Sequence, residues 1–265
     1  MDNIRFTDES ITGLIMEGIL IMIIPIVLAV IWKIKTKESI VTMIIGAVTW
    51  LAFAIILKLA PAYFLLYGDN PLAKTINGNV WLTAAAGGVL AGVFEETGRF
   101  LAFRFVLKKN EGRRTSVTYG IGHGGFESVY IGFQMIMMAV MGIMFNSGMG
   151  DQITANMDEA MKATAFAQLD QYGHFTITEC LLGTYERIPS ILYHISASVL
   201  VFAAVREKKY AYLDPVMIVV HALVDFSIVF GQTGMLSIWA IELMMTVFAA
   251  ITAYFAFRVY KKLKV

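Results

Sequence analysis

The chain has 265 residues, 58% of them hydrophobic and only 15% charged, with 21 Lys and Arg against 20 Asp and Glu. Soluble domains run near a quarter charged, so this composition excludes an ordinary soluble fold. The net charge of +1 points to no nucleic-acid partner, because the basic residues sit at the edges of apolar stretches.

Those stretches are long enough, at about 20 residues, for helices to cross the hydrocarbon core. Helices satisfy their own backbone groups there. The alternation and shortness of barrel strands are missing. The expected fold is therefore all-α, a multi-pass transmembrane helix bundle in the cell membrane. The spacing predicts seven spans: Ile11 to Trp32, Ile40 to Ala60, Val80 to Leu107, Val117 to Phe145, Ile188 to Val205, Pro215 to Phe230 and Leu236 to Phe257. Pro61, Pro189 and Pro215 are expected near span ends, where a missing N–H is tolerated. No cleavable leader pattern stands ahead of the first span, which is expected to stay in the membrane. Residues 1–265 read as a single membrane domain, with a core at 80–230 and an outer loop at 146–187. Cys180 is the lone cysteine, so no internal disulfide is available.

Lys and Arg in short loops set orientation. Lys33, Lys35 and Lys37 follow the first span. Arg104, Lys108, Lys109, Arg113 and Arg114 surround the end of the third. Arg206, Lys208 and Lys209 follow the fifth, and Arg258, Lys261, Lys262 and Lys264 close the chain. These hold 15 of the 21 basic residues, all on one side if the spans number seven. The other side has the Gly68–Asn79 loop, the Gly231–Met235 turn and an acidic loop from Asn146 to Arg187, with Asp151, Asp158, Glu159, Asp170 and Glu179. The N-terminus is therefore expected outside and the C-terminus in the cytoplasm. Met157 to Leu169 could form an amphipathic helix, either lying on the membrane or acting as a lid.

Ionisable residues inside spans are costly and mark function or a buried pair. Three of the four histidines, His123, His194 and His221, fall within apolar spans, whereas His174 reads as a surface residue. In the third span Glu95 and Arg99, four apart, are expected to pair, leaving Glu96 for another role. His123 and Glu127 share a face of the fourth span, and His221 and Asp225 a face of the sixth. The Asp225 carboxylate is expected to hold the His221 tautomer. Gly120, Gly122 and Gly125 lie in a span rather than at a strand–helix turn, so they read as close-approach positions, with Ala84 to Gly92 as the matching surface. Glu17, Lys58 and Glu242 read as snorkelling or locally paired, and Glu186 with Arg187 as a structural pair. Counted as helical rise from Arg104, Arg114, Arg206 and Lys209, the residues Glu96, His123, His194 and His221 share one layer, roughly 12–18 Å deep.

Glu and several His in one layer suit activation of a water molecule. Two mechanisms fit. In one, His123, His221 and His194 bind Zn²⁺, and Glu96 or Glu95 is the general base. In the other, Glu and His123 act without a metal, and His221 with its neighbours stabilises the oxyanion. Either hydrolyses an amide of a membrane-bound peptide or protein. A non-catalytic scaffold that keeps the cluster for packing and a small transporter are the competing classes; no inverted repeat supports the transporter.

Glu95-Glu96-x-x-Arg99, His123-x-x-x-Glu127, His194 and His221-x-x-x-Asp225, in order on successive helices, resemble the YhfC family of intramembrane metalloproteases. They also resemble the wider type II CAAX prenyl endopeptidase (CPBP) superfamily. The resemblance implies an intramembrane endopeptidase with Glu95, Glu96, Arg99, Glu127 and Asp225 as catalytic residues and His123, His194 and His221 as metal ligands. Departures exist: Arg99 lies one residue nearer the Glu pair than is common, and His123 stands where Phe is usual. Glu127 matches the arrangement of the PrsW proteases. A related family includes the non-catalytic scaffold subunit of γ-secretase, so the resemblance bears on fold more than on activity.

Overall fold

In a computed structural model that describes residues 4–232 and 235–263, the chain is helical, with no strand among the described residues. Asp2, Thr233 and Gly234 of the expected Gly231–Met235 turn, and Lys264 lie outside the described residues. In chain order the helices are α1 (Asp8–Thr36), α2 (Ile40–Tyr67), α3 (Pro71–Asn77), α4 (Val80–Val106), α5 (Arg114–Asn146), α6 (Gly150–Thr154), α7 (Glu159–Gly173), α8 (Ile177–Arg206), α9 (Leu213–Gln232) and α10 (Ile238–Lys262). Six of these, α1, α2, α5, α8, α9 and α10, are long and apolar enough to cross a membrane. The seventh is α4, whose adjacent carboxylates dilute its apolar run; it bends from α3 by 109° and counts as a span only together with it. The protein is thus a multi-pass membrane protein with six to seven spans.

Local chemistry sets the helix starts. Ser39, Asn79 and Ser237 each stand just before a helix, and each side-chain oxygen accepts a bond from a first-turn N–H: Val41 N at 3.2 Å, Trp81 N at 2.9 Å and Ala240 N at 3.3 Å. These groups satisfy donors the helix leaves open. Asn70 caps α3 in the same way, with Pro71 at its first position.

Two boundaries differ from expectation. α8 starts at Ile177, eleven residues before the expected Ile188. Its extra turns include Glu179, Glu186 and Arg187, residues too polar for an apolar run but compatible with a helix, and Pro189 lies inside rather than at the end. α2 likewise runs past Ala60 to Tyr67, so Pro61 is interior; the widened π turns Leu51–Leu57 and Tyr63–Tyr67 flank it, as happens where the i→i−4 ladder is interrupted. The stretch Met157 to Leu169 is helical from Glu159 on, in α7, capped by Asp158 through Met161 N at 2.8 Å, but its apolar residues are spread around the helix and do not form the expected amphipathic face.

The described chain divides into two compact units, 4–26 with Ser128–Arg187, and Val27–Glu127 with 188–263. The first has a small core of Phe6, Leu14, Ala139 and Leu169. Within it Glu17 is buried, and Glu186 and Arg187 form the expected ion pair. The second unit has the larger core, built on Phe103, Tyr119, Tyr193, Val201, Phe202, Met217 and Met245.

Glycines fix how helices meet in this second unit. A Cβ at Gly122 would stand 2.6 Å from Met43 Cα of α2, and one at Gly120 the same distance from Ile195 Cα of α8. The glycines of α5 therefore receive α2 and α8. The Ala84 to Gly92 surface of α4 instead receives α9: a Cβ at Gly88 would lie 3.0 Å from Phe226 N, and one at Gly92 2.9 Å from Ala222 N. The two small-residue surfaces that were expected to match each other thus serve different partners. That choice follows from the bundle's packing, which small residues permit but do not select.

Candidate metal and hydrolytic site

Every expected site residue lies in the second unit, on four helices: Glu95, Glu96 and Arg99 on α4, His123 and Glu127 on α5, His194 on α8, and His221 and Asp225 on α9. Adjacent helical residues point about 100° apart, so Glu95 and Glu96 face different neighbours. Glu96 forms the ion pair with Arg99, and both side chains are wholly buried. The expected Glu95–Arg99 pair does not form. Glu95 turns to α5, where its Oε2 lies 3.2 Å from His123 Nε2.

Arg99 is the hub. One terminal nitrogen donates to Glu96, and the other lies 3.2 Å from His194 Nδ1. A guanidinium only donates, so His194 Nδ1 accepts and its proton sits on Nε2. That nitrogen is 2.8 Å from Glu127 Oε2. Glu127 therefore partners His194, not the His123 with which it shares a helix face. Gly124 makes the approach feasible, because a Cβ there would stand 2.8 Å from His194 Cβ.

His221 also finds a partner other than the expected one. Its Nδ1 donates to Glu96 Oε1 at 2.6 Å, whereas Asp225 stands 4.0 Å from Nε2. Glu96, across the α4–α9 contact, holds the tautomer. An i,i+4 pair only brings two side chains near one another; a carboxylate already buried opposite the ring wins.

Glu95, His123 and His194 each offer a ligand atom, and these atoms all lie within 4.8 Å of one another, with all three residues buried. Two imidazoles and one carboxylate form a donor set found in catalytic zinc sites, which leave a fourth position open. His123 Nδ1 is buried without a partner, so the donor set fits a metal ion. His221, expected as a third imidazole ligand, lies outside this group, and Glu95 lies in it. His221 remains beside the cluster, its ring 5.6 Å from that of His194, which is in turn 5.1 Å from that of His123.

Two aromatic residues, unmarked by any charge or motif, also pack against the site histidines. Tyr119 packs on His123 with rings 5.8 Å apart. Tyr193 packs edge-on against both His194 and His221, at 5.5 and 5.4 Å. The only signal for Tyr193 was its place beside a mid-span histidine. Ser196 and Ser198, which follow that histidine, bond back to Leu192 O and His194 O at 2.7 Å, so they satisfy themselves within α8.

A family model described as YhfC intramembrane metalloprotease matches residues 20–246. The uncharacterized membrane protein YhfC of Bacillus subtilis (strain 168) is 30% identical over 250 residues, covering 94% of this chain and 95% of that protein. No solved structure matches.

Proposed function

We propose, from the premise that this chain belongs to the YhfC intramembrane metalloprotease family, that it is a zinc-dependent intramembrane endopeptidase. It hydrolyses a peptide bond of a membrane-associated peptide or protein. The observation that carries this reading is the buried Glu95, His123 and His194 group, brought together from three helices. Its residues occur in no short motif that a single helix would explain.

In this reading Glu95, His123 and His194 would hold the zinc, with His194 Nδ1 giving up its contact with Arg99 to do so. When bound, the ion lowers the pKa of water and polarises the scissile carbonyl. Glu96 is the general base. Its Oε1 is shared by Arg99 and His221, and its buried Oε2 has no partner, leaving one oxygen to take a proton from water. Arg99 keeps Glu96 in place. Glu127 orients His194, as outer carboxylates orient metal-bound imidazoles. Glu96 lies eight residues before Arg104, a rise of roughly 12 Å, so cleavage occurs within the leaflet that the basic segments border. We read that leaflet as cytoplasmic.

Zinc content of the purified protein tests this. About one zinc per chain is expected in the wild type, with loss in His123→Ala and His194→Ala and retention in Glu96→Gln. Glu96→Gln should then fail to cleave membrane peptides that the wild type cleaves. A folded wild type that takes up no supplied zinc sinks the reading.

One observation favours a second reading. Arg99, Glu96, His194, His221 and the half-buried Glu127 form a continuous network, and such networks also serve as structural cores. A non-catalytic scaffold would bind no zinc and would lose stability with each alanine substitution.

A further inference from the structure

A hydrolase of this kind needs a donor for the charge that develops on the carbonyl oxygen, and most donors around the cluster are already engaged. Arg99 gives its terminal nitrogens to Glu96 and His194. His221 gives Nδ1–H to Glu96, His194 faces Glu127 through Nε2, and His123 faces Glu95. Arg99 Nε also lacks a partner, but its guanidinium is committed to the buried ion pair with Glu96. The hydroxyl of Tyr119 is likewise buried without a hydrogen-bond partner, but its ring packs on His123 alone among the site histidines.

Tyr193 differs. Its side chain is 2% exposed, and its hydroxyl is buried with no hydrogen-bond partner. Its ring is wedged between His194 and His221. A buried phenol usually finds a partner. Phenylalanine would fill the same wedge without leaving a polar atom unpaired, so packing alone does not account for the hydroxyl.

We propose that the Tyr193 hydroxyl is the oxyanion donor of the site, making Tyr193 a catalytic residue that meets the tetrahedral oxygen of a substrate amide. This rests on the hydrolase reading above. In the step, water oxygen bonds to the carbonyl carbon as its proton passes to Glu96. The carbonyl π pair moves onto the oxygen, which accepts a hydrogen bond from Tyr193; the phenol keeps its proton. On collapse the pair returns, the C–N bond breaks, and the amine leaves with the proton from Glu96. One water is consumed, and one carboxylic acid and one amine are released. The donor is idle in the resting site and paired only when charge develops, so its energy goes to the transition state.

The test compares two probes on zinc-supplied protein in detergent. One is a hydrophobic phosphinic dipeptide isostere, which carries a tetrahedral anionic oxygen. The other is a thiol with the same side chains and no such oxygen. Tyr193→Phe should weaken the phosphinate about 100-fold, leave the thiol within about two-fold, and keep zinc content and thermal stability at wild-type levels. Equal phosphinate affinity in Tyr193→Phe and wild type overturns the proposal, as does an equal loss of both probes, which marks a structural role. If that variant fails to fold, 3-fluorotyrosine at position 193, a stronger donor, should tighten the phosphinate but not the thiol; no change overturns the proposal. A wild type that binds neither zinc nor probe instead overturns the hydrolase reading itself.

Discussion

At the scale of single residues, Arg99 decides the site. It is wholly buried and meets Glu96 and His194 at once. Removing one partner of a buried ion pair leaves an uncompensated charge, at a cost of about 3–5 kcal/mol. Arg99→Met should lower stability by about that much in detergent unfolding. Arg99→Lys should recover only part, since a point-charge ammonium cannot reproduce the fork that serves two helices. Full recovery by lysine would mean that charge alone matters. The presence of Glu95, Glu96, Arg99 and the three histidines in one polar layer was legible in the chain, because each is expensive in an apolar span. Their partners were not. Helical spacing suggested Glu95 with Arg99 and His221 with Asp225, and put His123 and Glu127 on one face. The structure pairs Arg99 with Glu96, Glu127 with His194, and His221 with Glu96. Intrahelical spacing counts neighbours on one helix, whereas a buried charge takes the best partner on any helix.

At the scale of elements, close helix contacts hold the site helices in register. Gly122 is the tightest: a Cβ there would fall 2.6 Å from Met43 Cα. Gly122→Ala should therefore cost about 1–3 kcal/mol through overpacking and lower the unfolding temperature. Gly112→Ala, with nothing within 4 Å, should stay within about 0.5 kcal/mol of wild type. Similar effects at the two positions would refute the packing argument. Gly88 and Gly92 do the same for α4 against α9, the pair that brings Glu96 to His221. The early start of α8 at Ile177 is not visible in hydropathy, which finds only apolar runs, whereas a helix also continues through polar residues such as Glu179 and Glu186.

At the scale of the molecule, large apolar side chains such as Ile23, Ile26, Val27, Ile56, Val219 and Leu243 remain exposed, a surface that water would not tolerate in this quantity and that lipid accepts. The basic segments predict which face is cytoplasmic. With Cys180→Ala as background, Glu111→Cys should react with a membrane-impermeant thiol reagent only after cells are opened, and Asp69→Cys should react in intact cells. The reverse pattern would invert the topology.

The sequence by itself determined the solvent: apolar runs of span length, interrupted by few charges, leave only a helical membrane bundle. It also marked which polar residues matter, because each charge in such a run must be compensated. Only the tertiary structure decided how. It gave Glu95 to His123, Glu96 to Arg99 and His221, and Glu127 to His194, and it set Tyr193 between two histidines. Burial energy depends on composition along one helix, but pairing depends on distances between helices, and those are set by where glycines let backbones meet.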